Sequence, residues 1–175
     1  MASAYAPSPV SAQSAKPGVL EEPRWAVGSP LRVYISGVVS EARDGLVATE
    51  IVSALREWRN ASNGKIRFVL TERYVDADIL FVCENTVEHQ WAENITSYHN
   101  SMFDRVRVRL LEETLYKLAP RRVRAVCLHE VGHAFGIRAH SSNNRDAMSL
   151  AATDDLHPVL SLTSNDRKLL AKLYP

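Results

Sequence analysis

The feature that most constrains the fold is a set of ionisable residues inside an apolar helical segment. Pro120 suits the first turn of a helix, and the chain from there to Phe135 is mostly apolar. This pattern predicts a central, buried helix that Gly136 can end in a left-handed conformation. The segment contains the sequence His129-Glu130-Val131-Gly132-His133. Because burial of imidazoles and carboxylates is unfavourable without partners, the fold must supply partners around this helix.

The spacing of these residues predicts a metal site. His129 and His133 are four residues apart, so a helix places both imidazoles on one face, where they can bind one metal ion. Glu130 can lie beside the metal without binding it and act as a general base for a bound water. Zinc lowers the pKa of such a water toward about 7 and polarises a carbonyl group. The motif therefore predicts hydrolytic chemistry at a zinc ion.

A catalytic zinc site needs a third protein ligand and one open position for water. Gly136 allows a sharp turn after the helix, which can bring His140 back to the metal. An acidic residue from a later segment is the alternative, and the available ones are Asp154, Asp155 and Asp166. The pattern from Gly136 to His140 favours the histidine. Other histidines lack ligand spacing and are predicted to lie on the surface or in loops: His89, His99 and His157.

The stretch from His129 to Ser141 resembles the metzincin signature, and especially that of matrixin-like peptidases. That signature reads His-Glu-x-x-His-x-x-Gly-x-x-His and is followed by a turn that contains methionine. Met148 resembles the methionine of this Met-turn, which lies beneath the metal. Two departures are visible: His140 follows the glycine by four residues where the signature has three, and Ser149 stands where matrixins commonly have tyrosine.

This resemblance implies a zinc-dependent endopeptidase of zincin or matrixin-like fold. His129, His133 and His140 would hold Zn²⁺, and Glu130 would take a proton from the bound water and pass it to the leaving amine. The substrate would be a protein or peptide, and we expect a monomer. The resemblance also favours secretion, but no signal peptide is recognisable in the sequence, so a cytoplasmic location stays open.

Three alternatives to this peptidase remain at the level of the sequence. A gluzincin-like peptidase would use an acidic third ligand. A zinc-stabilised, non-catalytic binding module needs no base such as Glu130, and Cys127 as a fourth ligand would point roughly 200° away from His129 around the helix. A metal-dependent RNA-processing protein with three histidines is disfavoured by a net charge of only +1, which gives no reason to expect nucleic-acid binding.

The hydrophobic pattern predicts an α/β (α+β) fold with a twisted, mostly parallel sheet and an antiparallel edge strand. A helix over 45–59 is indicated by the spacing of its apolar face, and Thr163 is a candidate cap for a closing helix to Tyr174. The alternating arginines Arg105, Arg107 and Arg109 indicate a solvated strand face. Strands are predicted at 31–35, 65–70, 78–82 and 105–110, with the edge strand within 90–100.

The Ala/Ser/Pro-rich residues 1–24 are predicted to be a disordered tail, because they hold few large apolar side chains. Residues 25–175 would form the catalytic domain, with an upper subdomain to 140 and a lower subdomain from 141. Cys83 and Cys127 suit two buried thiols, although one disulfide is possible in an exported protein. No apolar run approaches the roughly 20 residues that a membrane span needs.

Overall fold

The computed structural model describes residues 23–84, 92–153 and 156–175. The predicted tail therefore lies outside the described residues, except for Pro23 and Arg24. A short 3₁₀ helix covers Tyr74–Asp76. The other elements are β1 (Leu31–Ile35), α1 (Gly37–Glu41), α2 (Leu46–Ala61), β2 (Phe68–Leu70), β3 (Ile79–Cys83), β4 (Ala92–His99), β5 (Met102–Leu110), α3 (Glu112–Tyr116), α4 (Pro120–Ala134) and α5 (Ser164–Leu173).

The five strands form one sheet in the order β2-β1-β3-β5-β4. All neighbouring pairs are parallel except β4 and β5, which are antiparallel. This arrangement confirms the predicted fold class, and β4 is the predicted antiparallel edge strand. Strand β2 is shorter than predicted. It follows a turn at Asn63 and Gly64, both of which have positive φ, and the side chain of Ile66 is buried in the core before the strand begins. Among the described helices, none has the length and apolar character that crossing a membrane requires.

Helix α2 buries the face that its sequence predicts, with Val47, Ile51, Leu55 and Trp58 all inaccessible to solvent. Trp58 also donates a hydrogen bond from its indole Nε1 to the carbonyl oxygen of Leu128, at 2.8 Å. This bond fastens α2 to α4, whose residues are mostly buried, as predicted. Helices α1 and α3 were not predicted, because five residues are too few to show a helical period.

The arginine face of β5 is less exposed than predicted. Its three arginines are half-buried and bind partners on neighbouring segments. The guanidinium of Arg109 lies 2.9 Å from the carboxylate of Glu93, and Arg107 pairs with Glu84 at 3.4 Å. Arg105 donates to the carbonyl oxygen of Ala77 at 3.1 Å. The alternation therefore indicates ion pairing across the sheet surface as well as solvation.

Thr163 caps α5, as predicted, and a capping box joins its hydroxyl and backbone N–H to Asp166. The Asp166 carboxylate is fully buried and also accepts hydrogen bonds from the backbone N–H groups of Ala147 and Met148, at 3.0 and 3.1 Å. One carboxylate therefore connects α5 to the turn that precedes it by about twenty residues. Both cysteines are free thiols, but only Cys127 is buried as expected, and Cys83 at the end of β3 is half-buried.

A second buried carboxylate, Asp146, organises the segment 141–165. Its oxygens accept hydrogen bonds from the side chains of Ser141, Asn143, Thr163 and Asn165, at 2.6 to 3.0 Å. Burial raises the pKa of the Asp146 carboxyl, but these four hydrogen bonds together hold it below its ordinary value. The charged form is therefore the one that the folded state stabilises.

Gly132 lies where α4 meets α2 and the turn at Met148. A Cβ atom at this position would stand 2.2 Å from Met148 Sδ and 2.8 Å from Trp58 Cζ2. Both neighbours are fully buried, so the missing side chain is what lets the three segments approach.

We expect Gly132→Ala to destabilise the fold. Overpacking a buried site costs about 1–3 kcal/mol. The clash with the rigid Trp58 ring, at 2.8 Å, places this cost toward the upper end of that range, above the gain of about 1 kcal/mol when alanine replaces glycine in a helix. Urea unfolding measures the difference. Gly37→Ala is the matched control, because no atom lies within 4 Å of a Cβ there. A Gly132→Ala variant as stable as the wild type would contradict the packing described.

Asp146→Asn should change how stability depends on pH. The pKa of Asp146 is lower in the folded state than in the unfolded state, where it is about 3.9. The stability that this difference contributes is fully present above the unfolded-state pKa and is lost as the pH falls through the folded-state pKa. The variant should lose about 2 kcal/mol near pH 7 and show a flatter decline on acidification. Unfolding curves at several pH values test this. Asp104→Asn, at an exposed position of β5, should retain the wild-type pH dependence.

Candidate metal centre

Three histidine side chains converge at the end of α4. The Nε2 atom of His133 lies 3.0 Å from that of His129 and 3.2 Å from that of His140. His129 and His133 come from successive turns of the helix, as their spacing predicts. Gly136, with φ of +106°, reverses the chain after the helix so that His140 returns to the same point. Among the described residues, these three form the cluster that could hold a metal ion.

Backbone carbonyl groups fix the orientation of the two helical imidazoles. His129 donates from Nδ1 to the carbonyl oxygen of Ala147 at 2.7 Å, and His133 donates from Nδ1 to that of Ile137 at 2.6 Å. Each ring then carries its proton on Nδ1, so its Nε2 lone pair faces the centre of the cluster. Two facing lone pairs 3.0 Å apart repel each other, and a cation between them removes that repulsion. The donor set therefore fits a metal such as zinc.

The protonation state of these histidines also fits metal binding. Burial lowers the pKa of His129 to about 4. Burial and the neighbouring His129 lower the pKa of His133 to about 3. Both imidazoles are therefore neutral near pH 7, and the neutral form is the one that binds a metal. His140 is exposed and lies at the open side of the cluster.

Glu130 lies next to the cluster and outside it. Its side chain is only 7% exposed, and burial raises the pKa of its carboxyl to about 7. The amide of Asn94, on β4, donates a hydrogen bond to Glu130 Oε2. The carboxylate is therefore held between α4 and the edge strand β4, beside the three imidazoles.

Met148 packs against Gly132 of α4, the residue that precedes His133. It is fully buried, and its Sδ occupies the space left open by Gly132. The backbone N–H of Ser141 donates to the carbonyl oxygen of Met148 at 2.8 Å, which ties the turn to the loop that carries His140. The adjacent Ala147 accepts the His129 hydrogen bond, so the turn supports the cluster from two sides.

The acidic alternative for the third ligand finds no support in the described residues. The Asp166 carboxylate binds the N–H groups of Ala147 and Met148 and so faces away from the histidines. Asp154 and Asp155 lie outside the described residues, as does His89. His99 and His157 are exposed and do not belong to the cluster, in agreement with the prediction.

A cleft of about 480 Å³ opens above the histidines. The edge strand forms one wall, and Leu150 and Thr153 contribute to the opposite wall. The lining residues that the sequence did not single out include Asn94, Val126 and Arg138. Val126 stands three residues before His129, so the helical period alone could have indicated it.

Comparison with known protein families gives an independent result. The matrixin family model matches residues 24–175, which is most of the chain and includes both the sheet and the histidine cluster. No match was found among curated proteins. The match begins at Arg24, whose backbone N–H donates to the carbonyl oxygen of Ser101 at 3.1 Å. The chain therefore belongs to the matrixin family of zinc-dependent metallopeptidases.

Proposed function

We propose that the chain is a zinc-dependent endopeptidase, with His129, His133 and His140 as the zinc ligands and Glu130 as the general base. The observation that carries the proposal is the convergence of three imidazole Nε2 atoms beside a carboxylate that stays outside the cluster. Zinc, when bound, would polarise the substrate carbonyl and acidify the attacking water. Three protein ligands would leave one coordination position open for that water.

Glu130 carries the proton in this mechanism. Its carboxylate takes a proton from the attacking water while the oxygen of that water forms a bond to the carbonyl carbon. Glu130 then delivers the proton to the amide nitrogen, the C–N bond breaks, and the amine leaves. The carboxylate is unchanged at the end of the cycle, so each turnover consumes one water and one peptide bond.

The free edge of β4 supports a peptide as the substrate. Among the described residues, β4 pairs on one side only, with β5, so its other side can bind an extended peptide through main-chain hydrogen bonds. Ala92, Asn94 and Thr96 of this strand line the cleft, and the exposed side chain of Leu150 offers an apolar contact across it. We expect the protein to act as a monomer, because this edge must stay accessible.

A zinc-stabilised binding module is the second candidate. It would share the three histidines, but it would have no use for a buried carboxylate beside them, because that burial is unfavourable. Casein or a fluorogenic peptide, with and without a chelator, separates the two functions. An endopeptidase cleaves internal bonds and stops when the chelator is added, whereas a binding module leaves both substrates intact. RNA incubated in parallel should remain intact.

Glu130→Gln should remove hydrolysis without removing zinc. The amide keeps the shape of the side chain but cannot accept the proton of the water, so kcat should fall by at least roughly 100-fold. Peptide cleavage and zinc content are measured on the same preparation. An active variant with one zinc per chain would show that Glu130 is not the base.

His140→Ala should weaken zinc binding. Loss of one of three ligands should raise the Kd by more than about 100-fold, because even mutation of an outer-shell partner costs up to that factor. Competition with a chromogenic chelator measures the Kd. His157→Ala, a change at an exposed histidine outside the cluster, should bind zinc as the wild type does. Equal affinities for the two variants would assign the third ligand elsewhere.

A further inference from the structure

Asn94 is a polar residue whose side chain points from the edge strand β4 toward helix α4. It lies in the middle of β4, opposite Val108 of β5. Side chains alternate between the faces of a strand, so Asn94 shares its face with Ala92 and Thr96, and all three line the cleft. This position brings a carboxamide from one wall of the cleft to the carboxylate on the other.

The Asn94 amide contacts Glu130 at two atoms. Its Nδ2 donates to Oε2 of the carboxylate and lies 3.4 Å from the main-chain carbonyl oxygen of the same residue. One NH₂ group thus connects the side chain of Glu130 to its own backbone, which restricts the rotamers of a residue with three rotatable bonds. Within the described part of the chain, no second donor binds the carboxylate, so Oε1 stays available.

The other end of the Asn94 amide lacks a partner. Its Oδ1 is buried and accepts no hydrogen bond within the described structure. A buried acceptor without a donor destabilises a fold, and an apolar side chain of similar shape would avoid that loss. The Oδ1 end of the asparagine therefore contributes nothing to stability. The contact with Glu130 is what the asparagine adds.

We infer that Asn94 is a positioning residue, which holds one oxygen of the Glu130 carboxylate so that the other faces the attacking water. This inference rests on the proposed function, since it assigns the role of Asn94 through the general base. Asn94 itself transfers no proton. Its contribution is to the geometry of the base, so its loss should reduce turnover and leave peptide and zinc binding unchanged.

Two variants of the full chain test the inference. Asn94→Leu keeps the approximate shape and removes both the donor and the orphan acceptor. Asn94→Asp keeps the acceptor, removes the donor and adds a negative charge beside Glu130. Both should lower kcat by roughly 10- to 100-fold, with KM changed by less than about threefold and one zinc per chain retained. Asn60→Leu makes the same replacement at an exposed position of α2 and should match the wild type.

Thermal unfolding distinguishes positioning from a structural role. Asn94→Leu removes both the orphan acceptor and the donor to Glu130, so these two effects offset each other and the melting temperature should stay close to that of the wild type while kcat falls. A kcat within about threefold of the wild type would overturn the inference. A loss of activity caused by a higher KM, a lower zinc content or a lower melting temperature would also overturn it. An Asn94→Asp variant that keeps the wild-type kcat would do the same, because the donor would then be irrelevant.

The wild type separates failure of this inference from failure of the proposed function. A wild-type chain that binds zinc but cleaves no peptide overturns the peptidase assignment, and the role of Asn94 with it. An active, chelator-sensitive wild type beside equally active Asn94 variants overturns the role of Asn94 alone.

Discussion

A chain of buried hydrogen bonds connects the C-terminal helix to the histidine cluster, and the geometry of the site depends on it. The Asp166 carboxylate binds the N–H groups of Ala147 and Met148, and the carbonyl oxygen of Ala147 accepts the Nδ1 proton of His129. These groups are buried, so removing one leaves its partners unsatisfied. The last third of the chain therefore determines which nitrogen of a helical histidine is free to bind metal.

Local sequence predicted the parts of the molecule that depend on residues close together in the chain. The helix with His129 and His133, the apolar face that includes Trp58, and the Thr163 cap all follow from spacings of a few residues. Asn94, which the sequence did not indicate, depends on a distant partner. Asn94 binds a residue 36 positions later, and nothing in the polar strand around it indicates that contact.

The longer spacing before His140 is accommodated without loss of the histidine cluster. Ile137 is buried and its carbonyl oxygen accepts the Nδ1 proton of His133, so the chain is fixed at the first residue after Gly136. Arg138 and Ala139 are exposed, and the chain is fixed again where the N–H of Ser141 binds Met148. The additional residue thus falls between two anchored points, where solvent tolerates an outward loop.

The pairing between the edge strand and β5 shifts register between Ser97 and Tyr98, because β5 has one extra residue there, Asp104. A bulge of this kind increases the local right-handed twist of the paired strands. Within the described residues, regular pairing before the bulge runs from Ala92 to Ser97, about 20 Å at roughly 3.4 Å per residue. The twist turns the end of β4 out of line with its first residues, which makes this edge less suited to pairing with a long, flat strand.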